Sequence, residues 1–167
     1  SYTWDKANRL LSMGTESYLY NGLGQRVKNT VSGTATDYIL DVPAGLWNVV
    51  SATTSSATTR YVHGLMGLQQ QQNADNTWRW MLTDGLGSIR DVVDASLTPQ
   101  ESRLYSPYGE TYGTTGSSQT VYGFTGEITD ANTLVYLRAR YMNPALGVFP
   151  SLDSVEGAAH DPLSLNR

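Results

Sequence analysis

The chain has 167 residues, 16 glycines, 11 tyrosines, no cysteine and a formal net charge of −4. This length suffices for one domain with a sizeable core and is too short for us to expect two, while the glycine and tyrosine content favours β-hairpins over helices. The sparse, evenly spread charge argues against a nucleic-acid partner and an anionic membrane, and the lack of cysteine excludes disulfide scaffolds and zinc–thiolate sites.

Short repeats appear early in the chain and return later. Each combines an aromatic run with Asn or Asp, Gly, and a following Arg, and the shared core reads [N/D]-G-L-G. The copies are Trp4-Asp5 with Asn8-Arg9-Leu10, residues 18–27, residues 80–90, and a weaker echo in Tyr105, Tyr108, Gly109 and Glu110.

The repeat core predicts tight hairpin turns. Its first two residues are expected to supply the pair of positive φ angles of a two-residue hairpin turn, and its second glycine a bulge. The aromatic residues before the turn are expected to face the Arg after it. The turn residues concerned are Asn21, Gly22, Gly24, Asp84, Gly85 and Gly87.

Alternating hydrophobicity predicts an all-β chain of stacked antiparallel hairpins in a curved sheet or shell segment, with little helix. The strands predicted are 16–20, 25–31, 36–41, 46–51, 58–63, 66–71, 77–83, 88–94, 100–105, 120–124 and 134–141. Within 77–83, the face that carries Trp78, Trp80 and Leu82 is expected to point inwards.

Polar stretches between the predicted strands indicate connections. Residues 51–59 and 113–118 are rich in Gly, Ser and Thr and are expected to be loops. The run Gln69–Gln72 is expected to end an ordinary strand before a turn at 73–76. Residues 144–147 are expected to form at most one helical turn.

The segment 134–141 carries the most informative pattern. As one strand it would place Tyr136, Arg138 and Arg140 on one face and an apolar set that includes Tyr141 on the other. The two arginines are expected to stack on neighbouring tyrosines and to pair with Asp130 or Glu127. A binding groove, or aromatic platforms for sugars, is the alternative interpretation of the same residues.

Catalytic and metal motifs are weak throughout the sequence. The histidines, His63 and His160, lie far apart without carboxylates at metal spacing, so we predict no metal and no cofactor. Asp91 and Asp94 lie near Asp84 but lack the acidic loop that calcium requires. The serines have no nucleophile elbow, and the paired glycines lack the third glycine and the helix of a dinucleotide loop.

The last quarter of the chain resembles a known family in the order of three motifs. YGFTGE at 122–127, RARY at 138–141 and NPALGVFPSLD at 143–153 follow one another. They are similar to the core segment that closes the β-shell of Rhs/YD-repeat proteins. On this resemblance, residues 1–50 are degenerate YD repeats and 77–166 a core segment, in a chain that we predict to be one domain, 1–167.

The resemblance implies a non-enzymatic, structural role. Members are secreted or surface-delivered bacterial proteins whose sheet encloses a C-terminal toxin or other cargo. The expected partners are the remaining YD repeats of a longer parent chain or copies of this one, and a toxin domain, without nucleic acid and without membrane insertion. Assembly into extracellular fibres through free strand edges is the alternative.

The resemblance also nominates one catalytic residue. In some members an Asp at this place acts with a second Asp as an aspartyl autoprotease that releases the toxin, and Asp153 matches the first position. The family's Arg and Pro around it are replaced by Val148 and Ser154, and Asp161 does not match the cleavage motif. A structural Asp153, capping or turning the chain, is therefore expected.

Overall fold

The protein folds into two antiparallel sheets that are joined by turns. The computed structural model describes residues 1–42, 46–65 and 67–152. The strands of the first sheet are paired in chain order: β1 (Tyr2–Trp4), β2 (Leu10–Met13), β3 (Glu16–Tyr20), β4 (Arg26–Val31), β5 (Thr34–Asp41), β6 (Asn48–Thr54), β7 (Ala57–Gly64), β8 (Gly67–Gln72), β9 (Trp78–Thr83), β10 (Ile89–Val93), β11 (Pro99–Tyr105) and β12 (Thr111–Gly116). The prediction of an all-β meander of hairpins is confirmed.

A second, three-stranded sheet follows. It consists of β13 (Ile128–Thr129), β14 (Val135–Tyr136) and β15 (Tyr141–Met142), again in chain order. A short 3₁₀ turn, Phe124–Gly126, precedes it. We call residues 117–152 the C-terminal segment, because they leave the large sheet and return across one of its faces.

One five-residue turn recurs along the chain. The N–H of its fourth residue donates to the carbonyl of the first, and the first residue's N–H donates to the carbonyl of the fifth. The fourth residue always has positive φ. The turns of this kind are 5–9, 21–25, 73–77, 84–88, 94–98, 106–110, 123–127 and 130–134.

A side chain at the first position explains why Asp and Asn recur there. The Oδ1 of Asp84 accepts hydrogen bonds from the N–H groups of Leu86 and Ser88, at 3.0 Å each. The Oδ1 of Asn21 accepts from Leu23 and Gln25 in the same way. This side chain satisfies two amide groups that the hairpin leaves unpaired, which stabilises the turn locally.

The predicted positive φ pair is wrong for this turn. Gly24 (+80°) and Gly87 (+83°) hold the left-handed position, whereas Gly22 and Gly85 lie outside the positive range. A type I turn followed by a left-handed residue suits a three-residue connection, and the two-residue turn was expected only because Asn-Gly and Asp-Gly are typical of it. The two-residue arrangement with positive φ at both positions occurs instead at Ser32 and Gly33.

Two predicted loops are strands. Residues 51–59 form the end of β6, a tight turn and the start of β7, and 113–118 overlap the end of β12. Threonine-rich strands are compatible with both predictions because Thr is frequent in sheets as well as in turns. The expected strand end at 69–72 and the turn at 73–76 are confirmed.

The segment 134–141 is not one strand. It forms β14, a turn and β15, which pair with each other through Tyr136 and Tyr141. Arg138 lies in the turn with φ of 62°. The predicted strand 120–124 is likewise replaced by a single bridge between Tyr122 and Ile128 and by the 3₁₀ turn. Residues 144–147 form a turn closed by a bond from the Gly147 N–H to the Asn143 carbonyl.

The inward face of β9 is opposite to the predicted one. Met81 is buried and its cross-strand partner Val92 belongs to the core, whereas Trp78 and Leu82 are exposed and Trp80 is half-buried. Both faces of this strand carry large side chains, so alternation alone could not tell which one faces the interior.

The C-terminal segment supplies the second layer of the core. Tyr122 and Ile128 pack with residues of β6 to β10, including Val49 and Tyr61. Further along, buried apolar residues pack against β2 and β3; this cluster consists of Leu10, Tyr18, Leu134, Tyr136 and Tyr141. The large sheet therefore buries one face against the chain's own C-terminal residues.

Two contacts show that the large sheet is strongly curled. The side-chain N–H of Asn8, in the β1–β2 turn, donates to the Leu152 carbonyl at 2.8 Å. A Cβ at Gly147 would lie 3.0 Å from the ring of Tyr108, in the β11–β12 turn. Five residues span at most about 18 Å, whereas those turns would be about 48 Å apart in a flat sheet. The first and last hairpins therefore approach each other.

Candidate functional site

One arginine is among the largest fully buried side chains of the described residues. Arg26, the first residue of β4, lies opposite Tyr20 across the β3–β4 hairpin. Its Nη1 donates to the Oδ2 of Asp130 at 2.5 Å and to the hydroxyl of Tyr141 at 3.1 Å. The side chains of Arg26 and Asp130 are each 1% exposed.

Tyrosine rings surround the guanidinium group of Arg26. The ring of Tyr136 lies closest, with its centroid 4.0 Å from Cζ. The rings of Tyr18, Tyr38 and Tyr141 follow at 5.4, 5.5 and 5.9 Å. A delocalised cation over aromatic faces, with a carboxylate as counter-ion, is the environment in which a buried arginine is least unfavourable.

This cluster joins two distant parts of the chain. Arg26, Tyr18 and Tyr38 belong to the large sheet, whereas Asp130, Tyr136 and Tyr141 belong to the C-terminal segment. Arg26 and Asp130 are 104 residues apart in the sequence. Removal of one partner of a buried ion pair leaves an uncompensated charge, which typically costs about 3–5 kcal/mol. The cluster therefore fixes where the C-terminal segment docks; we call it the arginine anchor.

A second acid lies beside the arginine anchor. Glu16 is buried, and its Oε2 accepts a hydrogen bond from the Tyr18 hydroxyl at 3.1 Å. That hydroxyl accepts in turn from the Nδ2 of Asn132 at 2.7 Å. Burial raises the pKa of Glu16, the negative charge of Asp130 raises it further, and the Tyr18 hydroxyl opposes the rise.

A second anchor holds the beginning of the C-terminal segment. Arg103 on β11 forms two bonds to Glu101 and donates to the carbonyls of Thr120 and Tyr122 at 2.7 and 2.6 Å. Glu101 also accepts from the backbone N–H of Gln119. One arginine thus donates hydrogen bonds to two backbone carbonyl groups that would otherwise lie unpaired between the layers.

The other predicted arginines hold the turn between β14 and β15. Arg138 pairs with Glu127 at 3.1 Å and lies 5.7 Å from the ring of Trp47. Burial raises the pKa of Glu127, and the charge of Arg138 opposes this rise. Arg140 lies 4.0 Å over the ring of Phe149. The pairing with Glu127 agrees with the prediction, but Asp130 is taken by Arg26 and the stacking partners are Trp47 and Phe149.

The remaining predicted site residues are dispersed. Asn21, Gly22 and Gly24 form the β3–β4 turn, and Asp84, Gly85 and Gly87 form the β9–β10 turn. Trp80 lies on the outer face of β9. Of the predicted site residues, the fold brings only Tyr136 and Tyr141 to the arginine anchor. Arg138 lies nearby, because it contacts the ring of Trp47, which in turn contacts Tyr136.

Sequence reasoning missed Arg26 and Asp130 as a pair. The signal for Arg26 was present, since it follows the repeat core and faces Tyr20, as the hairpin argument predicts. Nothing in the sequence indicated that this particular arginine would be buried against a carboxylate of the last quarter. Arg90, which follows the repeat core at 84–87, instead approaches Asp84 at 3.8 Å and remains about one-third exposed.

The residue types that bind metal ions do not form a cluster in the described part of the chain. Groups of three or more His, Cys, Asp or Glu side chains that could hold a metal ion are absent from residues 1–42, 46–65 and 67–152. His63 bonds to the Val49 carbonyl, and burial lowers its pKa. The predicted candidate Asp153, with His160 and Asp161, lies outside the described residues. In the described part of the chain, no helix is long and apolar enough to cross a membrane.

Sequence comparison relates the chain to tRNA nucleases. No family model matches it. It is 28% identical to the tRNA3(Ser)-specific nuclease WapA of Bacillus spizizenii over 179 residues, which cover 99% of this chain and 8% of that protein. The tRNA nuclease WapA of Bacillus subtilis strain 168 matches with the same identity and coverage. The chain thus spans less than a tenth of the curated relatives.

Structure comparison relates the fold to toxin complexes. The crystal structure of TcdB2-TccC3-Cdc42 matches with a TM-score of 0.71 and 21% identity, over 98% of this chain and 9% of that one. The Tc holotoxin pore of Photorhabdus luminescens matches with a TM-score of 0.66 and 19% identity, over 92% and 9%. At this identity the likeness shows a shared fold, in which this chain corresponds to a small part of each matched chain.

Proposed function

We propose that the chain is a non-enzymatic wall segment of a secreted or surface-delivered bacterial Rhs/YD-repeat protein. In that role the large sheet is part of a β-shell, and the C-terminal segment closes the shell around a C-terminal toxin or other cargo. The proposal requires no cofactor and no chemistry. It requires only that the C-terminal segment be held firmly on the inner face of a curled sheet.

The docking of the C-terminal segment carries this proposal. The segment returns across the sheet and is held at the arginine anchor, at the Arg103–Glu101 pair and by a bond from the Ile89 N–H to the Gly123 carbonyl. These contacts involve strands from β3 to β11, so they link hairpins that are far apart along the sheet. A segment bound in this way keeps a sheet curled and fills one side of the enclosed space.

The comparisons support the connection to toxins. The sequence relatives are named as tRNA nucleases, and the structural matches come from Tc toxin complexes. The most deeply buried ion pair of the described residues, Arg26–Asp130, has side chains that are each 1% exposed, so no substrate has access to it. We therefore place any nuclease activity of a longer parent outside these residues.

Protease protection tests the proposed function. The natural polypeptide that contains this chain is treated with a protease of broad specificity, and fragments are identified by mass spectrometry. We expect a protected fragment from outside the chain that becomes sensitive in the Arg26→Met variant. Lys28 lies on the same strand as Arg26 and forms a solvent-exposed pair with Asp37 of β5. Lys28→Met is therefore the matched control and should leave protection unchanged. The absence of a protected fragment in the wild type would contradict enclosure, and equal protection in Arg26→Met would contradict the role of the arginine anchor in it.

Fibre assembly is the second candidate, and it rests on the outer strands. β1 and β12 are the terminal strands of the large sheet, each with one edge unpaired within the sheet. An open edge can add a strand from another chain. Electron micrographs of the purified chain that show regular fibres would favour assembly between copies over enclosure.

Autoproteolysis is the third candidate, and it depends on Asp153. We expect the purified chain to keep one mass over days at mildly acidic and neutral pH. Cleavage in wild type that is abolished by Asp153→Asn would establish the protease instead and would remove the structural interpretation of this residue.

A further inference from the structure

The two ends of the large sheet differ in polarity. At one end lie the connections that follow β1, β3, β5, β7, β9 and β11, and nearly all of them expose a large apolar side chain. The tips of the last five are Leu23, Leu46, Leu65, Leu86 and Tyr108, each between 62% and 103% exposed. We call these five residues the apolar rim.

The opposite end of the sheet has polar tips. Its two-residue turns are Gly14-Thr15, Ser32-Gly33 and Ser55-Ser56, and its longer turns are 73–77 and 94–98. Leu97 is the one large apolar residue in these turns, and it is 76% exposed. This residue therefore provides a matched comparison for the apolar rim.

Turn chemistry does not account for the apolar rim. In turns 21–25, 84–88 and 106–110, the first residue accepts a bond from a backbone N–H of the turn through its side chain, and the fourth adopts positive φ. Leu23, Leu86 and Tyr108 occupy the third position, which neither requirement touches. At the opposite end, the equivalent residue of turn 94–98 is the polar Ser96. That of turn 73–77 is Asp75, which accepts bonds from the N–H and hydroxyl groups of Thr77 and so takes part in the bonding of its turn. A polar residue is thus compatible with this position, and the apolar residues at one end need another cause.

The rim already receives part of the chain. The ring of Tyr108 lies against Gly147, and the neighbouring β1–β2 turn binds the Leu152 carbonyl through Asn8. The rest of the rim remains open, although surfaces of soluble proteins rarely expose contiguous large apolar groups without a partner. The rim is therefore continuous with an existing packing surface inside the molecule.

We propose that the apolar rim is the docking surface for another stretch of β-wall within the longer polypeptide. The matched relatives and matched structures are each more than ten times as long as the region that corresponds to this chain. Successive rim residues lie two strands apart, at a pitch of about 10 Å. A second meander with the same turns would present residues at the same pitch. This inference rests on the proposed function and specifies how one part of the shell contacts the next.

Cysteine labelling distinguishes a covered rim from an open one, because the chain has no cysteine of its own. Leu86→Cys reports on the rim, and Leu97→Cys reports on the opposite end with a nearly equal starting exposure, 72% against 76%. Each variant is prepared in the isolated chain and in the longer natural polypeptide. The rate of reaction with a small maleimide is measured at the introduced cysteine of all four proteins, by mass spectrometry of the peptide that contains it.

We expect both variants to react rapidly in the isolated chain. In the longer polypeptide the rate at Leu86→Cys should fall about tenfold or more, since reaction then requires local opening of a packed contact. The rate at Leu97→Cys should remain unchanged. Leu23→Cys provides a second rim position and should behave like Leu86→Cys.

Equal reaction rates at Leu86→Cys in the two contexts would overturn the proposal. So would self-association of the isolated chain that Leu86→Ser abolishes and Leu97→Ser preserves, because the rim would then bind a second copy. Either result leaves the protease experiment unaffected, since that experiment reports on the arginine anchor. Conversely, the protease experiment could show no protected cargo while Leu86→Cys is still slow to react in the longer polypeptide. That result would contradict enclosure and would leave the proposed contact between wall segments intact.

Discussion

At the scale of single residues, the stability of this protein depends on a deeply buried charge that has a buried counter-charge. Arg26 has a carboxylate, a tyrosine hydroxyl and four aromatic rings around it, and it connects the sheet to the C-terminal segment. Exposed pairs such as Lys28–Asp37 contribute little by comparison, because water screens them.

Arg26→Met should destabilise the fold by about 3–5 kcal/mol, because Asp130 would remain buried without a counter-charge. Urea denaturation followed by tryptophan fluorescence measures this loss. Lys28→Met should cost at most about 1 kcal/mol. If Arg26→Met and Lys28→Met had equal effects, Arg26 would not be the anchor described above. The double variant Arg26→Met/Asp130→Leu should recover part of the loss, since no unpaired charge is left.

Glu16 gives stability a dependence on pH. Its pKa is raised by burial from the ordinary value of 4.5, so the folded protein binds the proton more tightly than the unfolded chain does. Its contribution is therefore complete below pH 4.5 and is lost as the pH rises through the folded pKa. Glu127 has a raised pKa and a contribution of the same sign.

We expect Glu16→Gln to reduce the fall in unfolding free energy between pH 4.5 and neutrality. Denaturation curves at a series of pH values measure the slope. Glu110→Gln, at an exposed position, is the control and should preserve the wild-type slope. An unchanged slope in Glu16→Gln would show that this carboxyl group is not the source of the pH dependence.

At the scale of elements, one local unit recurs, the five-residue turn with a left-handed residue at its fourth position and, in most copies, an acceptor side chain at its start. The residue at that fourth position varies among Gly, Asn, Leu and Thr. Glycine adopts it without strain, whereas an L-residue with a Cβ does so at a cost.

The glycines of turn 21–25 should respond differently to substitution by alanine. Gly24→Ala should destabilise by about 1–2 kcal/mol, because φ is +80° there. Gly22→Ala should be neutral or stabilising by up to about 1 kcal/mol, because φ is outside the positive range and no atom lies within 4 Å of the added Cβ. Thermal unfolding of the two variants measures the difference. If Gly22→Ala were the more destabilising of the two variants, the two-residue turn that the sequence predicts would be correct.

At the scale of the whole molecule, the C-terminal segment determines the shape of the sheet. It contacts both ends of the strand order, through Asn8 and through Tyr108. The twist of a long sheet does not by itself bring its first and last hairpins together, so these contacts are needed for the curl.

Spin labels should detect this curl directly. With Lys6→Cys and Pro107→Cys, both at exposed turn positions, we expect a label separation below about 30 Å, allowing for the labels beyond the roughly 18 Å reach of residues 147–152. A flat sheet would give about 48 Å. Pulsed electron paramagnetic resonance measures the distance, and a value near that of the flat sheet would contradict the curled arrangement. A single pair of introduced cysteines suffices because the natural chain has none.

The sequence by itself determined the class of fold and most hairpin positions, because the recurring turn is decided within five residues, in most copies by an acceptor side chain and in all by a left-handed residue. It also predicted that an arginine after the turn faces an aromatic residue, as Arg26 faces Tyr20. It could not decide which face of β9 is buried or that 134–141 doubles back into two strands. Only the tertiary structure decided these features and the pairing of Arg26 with Asp130, because each depends on which distant residues share the interior.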